Sequence, residues 1–488
     1  MKLLTRLVIV SAVLLAMVSL AGAQSWTTLT HSAPAPVGPM LQLRDGRILF
    51  HEDQGGDARN WWVLTPDANG SYVNGTWSSG GSMPATYSPF FFGSQTLLDR
   101  GTVVVEGGEY NFGQAVWTNL GARLTYSGSN FTWVANNPPA GWTTIGDAQS
   151  VILPNGVYMQ ANCCTKQTAL YNGPNSWLAG GNVLAVRNDE SGYTLLSNDK
   201  VLMVDVQRNA NCFGGSSKSS ELYDYTTNTW SCAAETPVQL WLQADQELGA
   251  AVMMYNGKVI QFGGAVSASA VYDVASNTWS AGPVPPNGLD QADGPAAIEP
   301  NGKVLAQLSP GLFQAGCQML EYDPATNTFG NPPQPSFCPA DPSFVGHLFL
   351  LPTGQIAYTD FDTTVYVYNP AQGVAANAVP TILASSTHLH AASINNVVIG
   401  RQLNGLSESN GYGDDYQGPI NFPLVKLTNL QTGKVYWGVT HDDSTHSIKP
   451  GTIMSTKFDV PPNVPNGTYN LNVVAAGITS NSVQVNVP

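Results

Sequence analysis

Val252-Met-Met-Tyr-Asn-Gly-Lys-Val-Ile260 is a pair of short apolar strands hinged on Asn256-Gly257. Asn-Gly supplies the positive φ that a two-residue hairpin turn needs, so the stretch reads as a tight β-hairpin. Gly263-Gly264 closes its second strand, and Tyr272-Asp273 followed by Asn277-Thr278-Trp279 reads as a third strand turning into a fourth. The same hairpin recurs at 41–50, 96–105, 151–158, 195–203, 297–305 and 350–356. Tyr223-Asp224 with Asn228-Thr229-Trp230, and Tyr322-Asp323 with Asn327-Thr328-Phe329, repeat the outer half.

Aligning the copies on Gly46, Gly101, Gly156, Lys200, Gly257, Gly302 and Gly354 gives separations of 55, 55, 44, 57, 45 and 52 residues. Spacings near 50 are those of four-stranded units set radially about an axis. The predicted fold is therefore all-β, a seven-bladed kelch-type β-propeller, with the recurrent Trp and Tyr packed between neighbouring blades. The pattern stops after Tyr368-Asn-Pro370, and 371–380 reads as a linker of small residues. Beyond it, short strands at 396–399, 422–427, 434–440, 455–460, 467–474 and 482–487 predict an immunoglobulin-like β-sandwich. The domains expected are 1–23, a signal peptide; 24–378, the propeller; and 379–488, the sandwich.

The signal reading rests on Lys2 and Arg6, an apolar run from Leu7 to Leu20, and Ala21-Gly22-Ala23 before Gln24. That run is shorter than the roughly 20 residues that span a bilayer, and no later stretch replaces it, so an exported chain without a membrane span is expected, released to the medium or a periplasm. Loss of the first 23 residues takes the formal net charge from −14 to −16. Such a chain repels polyanions, which disfavours nucleic acid as a partner. Charged residues make up only 11% of the sequence while Gly and Pro number 49 and 33, material for turns and strands rather than helices.

Six cysteines in an exported chain predict disulfides. Cys212 and Cys232 flank one Tyr-Asp…Asn-Thr-Trp segment and Cys317 and Cys338 flank its counterpart, so each pair is expected to close within a blade. Cys163-Cys164 leaves three states open: a vicinal bridge, two thiols or a soft-metal site.

Segments leading into the inner strands are repeatedly acidic: Asp147, Asp189 and Glu190, Asp245 and Glu247, Asp290 and Asp293, and Asp341. A carboxylate ring at the propeller mouth would bind calcium or a positively charged or polyhydroxyl ligand. The alternative is that these acids are solvated loop charges. Asp414-Asp415, and Asp442-Asp443 beside His441, are further candidates for a cation. Zinc helices, phosphate loops, nucleophile elbows and dinucleotide fingerprints are all missing from the sequence.

A propeller followed by a sandwich, with Pro465-Asn-Gly-Thr-Tyr-Asn-Leu471 and Ala476-Gly-Ile-Thr-Ser-Asn481, resembles the galactose oxidase and glyoxal oxidase superfamily. The resemblance implies an extracellular copper-radical oxidase of primary alcohols or aldehydes, with copper held by two Tyr and two His and one Tyr cross-linked to Cys. Tyr436-Trp-Gly-Val-Thr-His441 is similar to the family's sandwich strand ending in Thr-His, which would make His441 a ligand reaching the propeller axis. The Tyr-His pair that should precede Leu350-Leu-Pro-Thr-Gly354 is replaced by Phe344-Val345, with His347 two places late, and no Tyr-His dipeptide occurs. Copper-radical chemistry is therefore read as lost. A mouth that binds a glycan, an extracellular protein or a cation is the first expectation, and an oxidase with displaced ligands among His347, His388, His390, His441 and His446 is the second.

Overall fold

The computed structural model describes residues 23–53, 56–96, 100–408, 410–412 and 416–488. The expected signal segment up to residue 22 and the Asp414-Asp415 pair lie outside them. Among the described residues the sheets are all antiparallel, and the helical elements are three short 3-10 turns. No helix among the described residues is long and apolar enough to cross a membrane.

Each predicted hairpin is the inner pair of an antiparallel sheet. In the fifth, Met254 N–H donates to the Lys258 carbonyl at 2.8 Å and Gly257 N–H to the Met254 carbonyl at 3.1 Å, with Gly257 at φ +80°. The fourth copy corrects the sequence alignment by one residue. Asp199 holds the positive φ (+68°) and donates to the Leu196 carbonyl, so Asp199, not Lys200, stands where the others have glycine. A short polar side chain tolerates that conformation, which is why the position escapes a search for Gly.

The Tyr-Asp…Asn-Thr motif ties the outer turn. Tyr223, Tyr272 and Tyr322 hydroxyls donate to Asn228, Asn277 and Asn327 at 2.8–2.9 Å, and each Asn adopts φ between +52° and +54°. Trp279 packs tilted against Tyr272, ring centres 5.1 Å apart, and donates its indole N–H to Ser220 of the preceding sheet, so the aromatic does bridge neighbours.

The inner strands Val37–Gln42, Gly93–Thr96, Ser150–Ile152, Tyr193–Leu195, Leu248–Met253, Pro295–Ile298 and His347–Leu350 each contact the next, and the last contacts the first. This closed, propeller-like succession ends in a sheet whose outer strand is Ser25–Thr28 from the N-terminus, paired with Tyr366–Asn369.

Cys212–Cys232 and Cys317–Cys338 are disulfides, and Cys163–Cys164 is a vicinal one. From Thr381 the remaining strands bury Val398, Val425, Leu427, Phe458, Leu471 and Val473 in a common core. The strand Val435–His441 turns the corner: 435–438 pair with Leu424–Asn429, and 439–441 pair with Ile453–Asp459.

Asn410–Tyr412 and Tyr416–Gln417 leave this C-terminal region and enter the centre of the ring. The first pairs with the inner strand Pro295–Ile298, and the Tyr416 hydroxyl accepts the Met40 N–H at 3.1 Å on the opposite side. A buried strand needs partners for its backbone groups, and the inner strand of the sixth sheet supplies them.

Candidate functional site

One cup draws on side chains from several sheets. Four of the predicted acids, Asp147, Glu190, Glu247 and Asp293, line it together with Glu109. Phe91, Tyr110, Phe313 and Phe344 complete its lining. Single oxygens of Glu190, Glu247 and Asp293 lie within 4.8 Å of one another, and Asp147, Asp189 and the Cys163 sulfur form a second group of the same size. With its sulfur in the disulfide, Cys163 is no thiolate ligand.

Burial without a counter-charge sets the electrostatics. Asp147 is 6% exposed, and its Oδ1 has no hydrogen-bond partner. Desolvation first, then Glu109, Asp189 and Asp293, push its carboxyl up to about 8. Asp293 shares a hydrogen bond with Glu247 and is raised to about 7 by desolvation and Glu109. Glu109 is raised by burial and by Asp189. No lysine, arginine or histidine lines the cup among the described residues. Phe91, Glu190, Asp293 and Phe313 all carry φ between +46° and +57°, a region that side-chain-bearing residues rarely adopt and that clusters at ligand sites.

The remaining predicted acids do not line the cup. Asp189 is held by Arg187 at 2.7 Å. Asp245 is half-exposed, and Asp290 turns inward to cap the Ala292 N–H. Asp341 instead lies by Asp360, whose carboxyl is raised to about 7 by desolvation and its acidic neighbours Asp341 and Asp362. Glu109 escaped the sequence reading because it sits beside a small three-stranded sheet, Pro89–Phe90, Tyr110–Asn111 and Gln114–Ala115, outside the segments leading into inner strands. Its signal was Gly107-Gly108-Glu109-Tyr110 directly after a second strand. A larger cleft, about 810 Å³, lies beside Trp437, but Asp45, Asp67 and Asp459 line it together with Arg47 and Lys434, so its acids are largely offset by bases.

His441 lies away from the cup, on the C-terminal sheet. It is buried between Asp442 (Nδ1, 3.1 Å) and Asp459 (Nε2, 3.1 Å), while the hairpin of Asn410–Tyr412 takes the axis. Replacing His441 with Ala is expected to lower stability by about 1–3 kcal/mol in urea unfolding, by leaving a cavity in place of a buried ring and removing one of the hydrogen bonds to Asp459. Copper retained after loading and dialysis should match the parent protein.

No family model matches this chain, and no curated protein matches it in sequence. Among solved structures, a fungal alcohol oxidase of the AA5 family in complex with copper aligns over 96% of this chain and 99% of its own, with a TM-score of 0.54 and 16% identity. A catalytically inactive virginiamycin B lyase from Staphylococcus aureus, with quinupristin, aligns over 71% of this chain and 99% of its own, with a TM-score of 0.50 and 10% identity. The likeness is one of fold.

The copper-bound neighbour makes the histidines the test of fit. None of them belongs to a group of three His, Cys, Asp or Glu ligands among the described residues. His51 packs against Trp61 and Phe92, and His347 against Phe361 and Tyr416; burial pushes both imidazoles down to about 3. His446 is buried beside Asp443, and His388 and His390 are exposed. Of the two-histidine, two-tyrosine set that the resemblance implied, His347 has His51 and the Tyr416 ring as neighbours, while His441 stands apart beside Asp442 and Asp459.

Proposed function

We propose that this chain is an exported binding protein, a seven-bladed kelch-type propeller (24–378) carrying an immunoglobulin-like domain (379–488), whose mouth takes a positively charged ligand. The observation that carries the reading is the cup itself: five carboxyl groups converge with no basic side chain among its lining, and the buried Asp147 Oδ1 has no partner. A cation supplies the missing counter-charge in a concave site where water screens little. Three disulfides and no free cysteine among the described residues support export.

The test is the pH dependence of stability. The unfolded chain releases the protons of Asp147 and Asp293 near pH 4, whereas the folded chain holds them to about 8 and 7. Between those limits the unfolded state binds fewer protons, so stability falls as pH rises. The melting temperature in low salt is expected to drop from pH 5 to pH 8, and Asp147→Asn should flatten that drop. Calcium chloride or hexane-1,6-diamine should raise the melting temperature at pH 8 far more than at pH 5, because binding displaces those protons. If neither cation does so, the reading is wrong.

A second reading, an oxidase of primary alcohols or aldehydes, is favoured by the full-length likeness to the copper-bound alcohol oxidase. Stoichiometric copper with peroxide release on such substrates would establish it.

A further inference from the structure

We infer that the ligand of the mouth is an organic ammonium ion with an apolar body, and that a bare metal ion is not what the cup is shaped for. The inference rests on the cation reading above and adds the ligand's chemical class. Three observations carry it.

The first is the mixed lining of the cup, carboxyl groups together with aromatic rings. A hard cation such as calcium takes six to eight oxygen ligands at about 2.3–2.6 Å, distributed around it. Here the carboxyl groups share the lining with Phe91, Tyr110, Phe313 and Phe344, of which only Tyr110 adds an oxygen, its hydroxyl near Glu109 and Asp147. Aromatic faces attract an ammonium group by their quadrupole and cover its methylenes, and neither property serves a hydrated metal.

The aromatic lining continues beyond the cup. Phe90 lies 4.2 Å from Phe91, 5.9 Å from Tyr110 and 5.3 Å from Phe361, and Phe313 lies 5.3 Å from Phe344. An apolar chain leaving the cup would therefore stay on aromatic surface.

Size is the second observation. The cup holds about 270 Å³, against roughly 30 Å³ for one water in the liquid. A lone cation would leave most of it to solvent, whereas a small organic ion fills it and buries hydrocarbon.

The third is the placement of the unsatisfied oxygen. Asp147, 6% exposed, lines the cup with an Oδ1 that no protein donor reaches. An ammonium carries up to three N–H donors, which can satisfy such an acceptor while its carbon chain lies on the aromatic rings.

The experiment is calorimetric titration of the mature protein at pH 8 and low salt with hexane-1,6-diamine, calcium chloride and hexane-1,6-diol. The diamine is expected to bind at least about tenfold more tightly than calcium, and the diol, which has the same hydrocarbon without charge, should give no heat. Phe313→Ala should weaken the diamine roughly 2- to 30-fold; the ring is partly exposed, so the fold survives its loss. Asp147→Asn should weaken it by at least about tenfold. Calcium binding without diamine binding would overturn the inference and leave the cation reading standing. Equal binding of diamine and diol, or a diamine affinity indifferent to Phe313→Ala, would also overturn it. No binding by either cation removes both.

Discussion

Asp443→Ala is expected to cost about 3–5 kcal/mol in urea unfolding, the range for breaking a buried ion pair from one side. Arg44 and Asp443 have fully buried side chains, and Nη1 donates to Oδ2 at 2.5 Å. The guanidinium lies 4.2 Å from the centre of the Phe422 ring, and the Arg44 carbonyl accepts the Thr440 N–H at 3.1 Å. Arg44 belongs to the first inner hairpin and Asp443 follows the strand Val435–His441, so the pair welds the ring of sheets to the C-terminal region. Removing the carboxylate leaves a guanidinium that cannot lose its proton in a site closed to water. Arg44→Met combined with Asp443→Leu should recover most of the loss, because the desolvation cost disappears with both charges. Diamine binding at the mouth should be unchanged in the double variant. A single variant as stable as the parent would mean that water reaches the pair.

The fold was legible because its strongest signals are local. A turn that needs positive φ selects Gly, Asn or Asp wherever it occurs, so seven hairpins could be seen, with Asp199 the one misplaced by a residue. The within-blade disulfides followed from cysteines flanking one turn. The site was legible only in part, because a sequence shows which segments lead into inner strands and not which way each side chain turns. Asp147, Glu190, Glu247 and Asp293 face the cup, while Asp290 from the same kind of segment caps its own turn. His441 was expected at the axis from a Thr-His pattern. Pairing of 439–441 with Ile453–Asp459 instead keeps it on the sheet, and the axis goes to a hairpin whose Asn-Gly-Tyr carried no motif. The aromatic lining was hidden for another reason: a Phe-rich run such as 90–92 reads as core unless the acids beside it are known.

The other large effect expected is at the seam of the ring. Deleting residues 24–33 should abolish cooperative unfolding of the propeller-like part, measured by calorimetry, and Trp26→Ala alone should cost about 3 kcal/mol, the low end for a tryptophan because the ring is half-buried. Ser25–Thr28 is the outer strand of the last sheet, in register from Ser25 opposite Asn369 to Thr28 opposite Tyr366. Trp26 sits 5.1 Å from Tyr368 and 5.7 Å from Phe337, and its indole N–H donates to the Pro333 carbonyl at 2.8 Å. The following residues continue the tie to both flanks: Leu29 N–H donates to the Val365 carbonyl and Thr30 N–H to that of Val73, in the turn between the outer strands of the first sheet. The three disulfides each close a short local segment, so none of them holds first and last sheets together, and the seam depends on this strand. Without it the edge Tyr366–Asn369 is open to pairing with another chain, so the truncated protein should aggregate on heating. A synthetic peptide of residues 24–33 added in trans should restore part of the lost transition, because the edge it pairs with is left in place. Failure of the peptide together with a normal transition in the truncated protein would show that the ring closes through its inner strands alone.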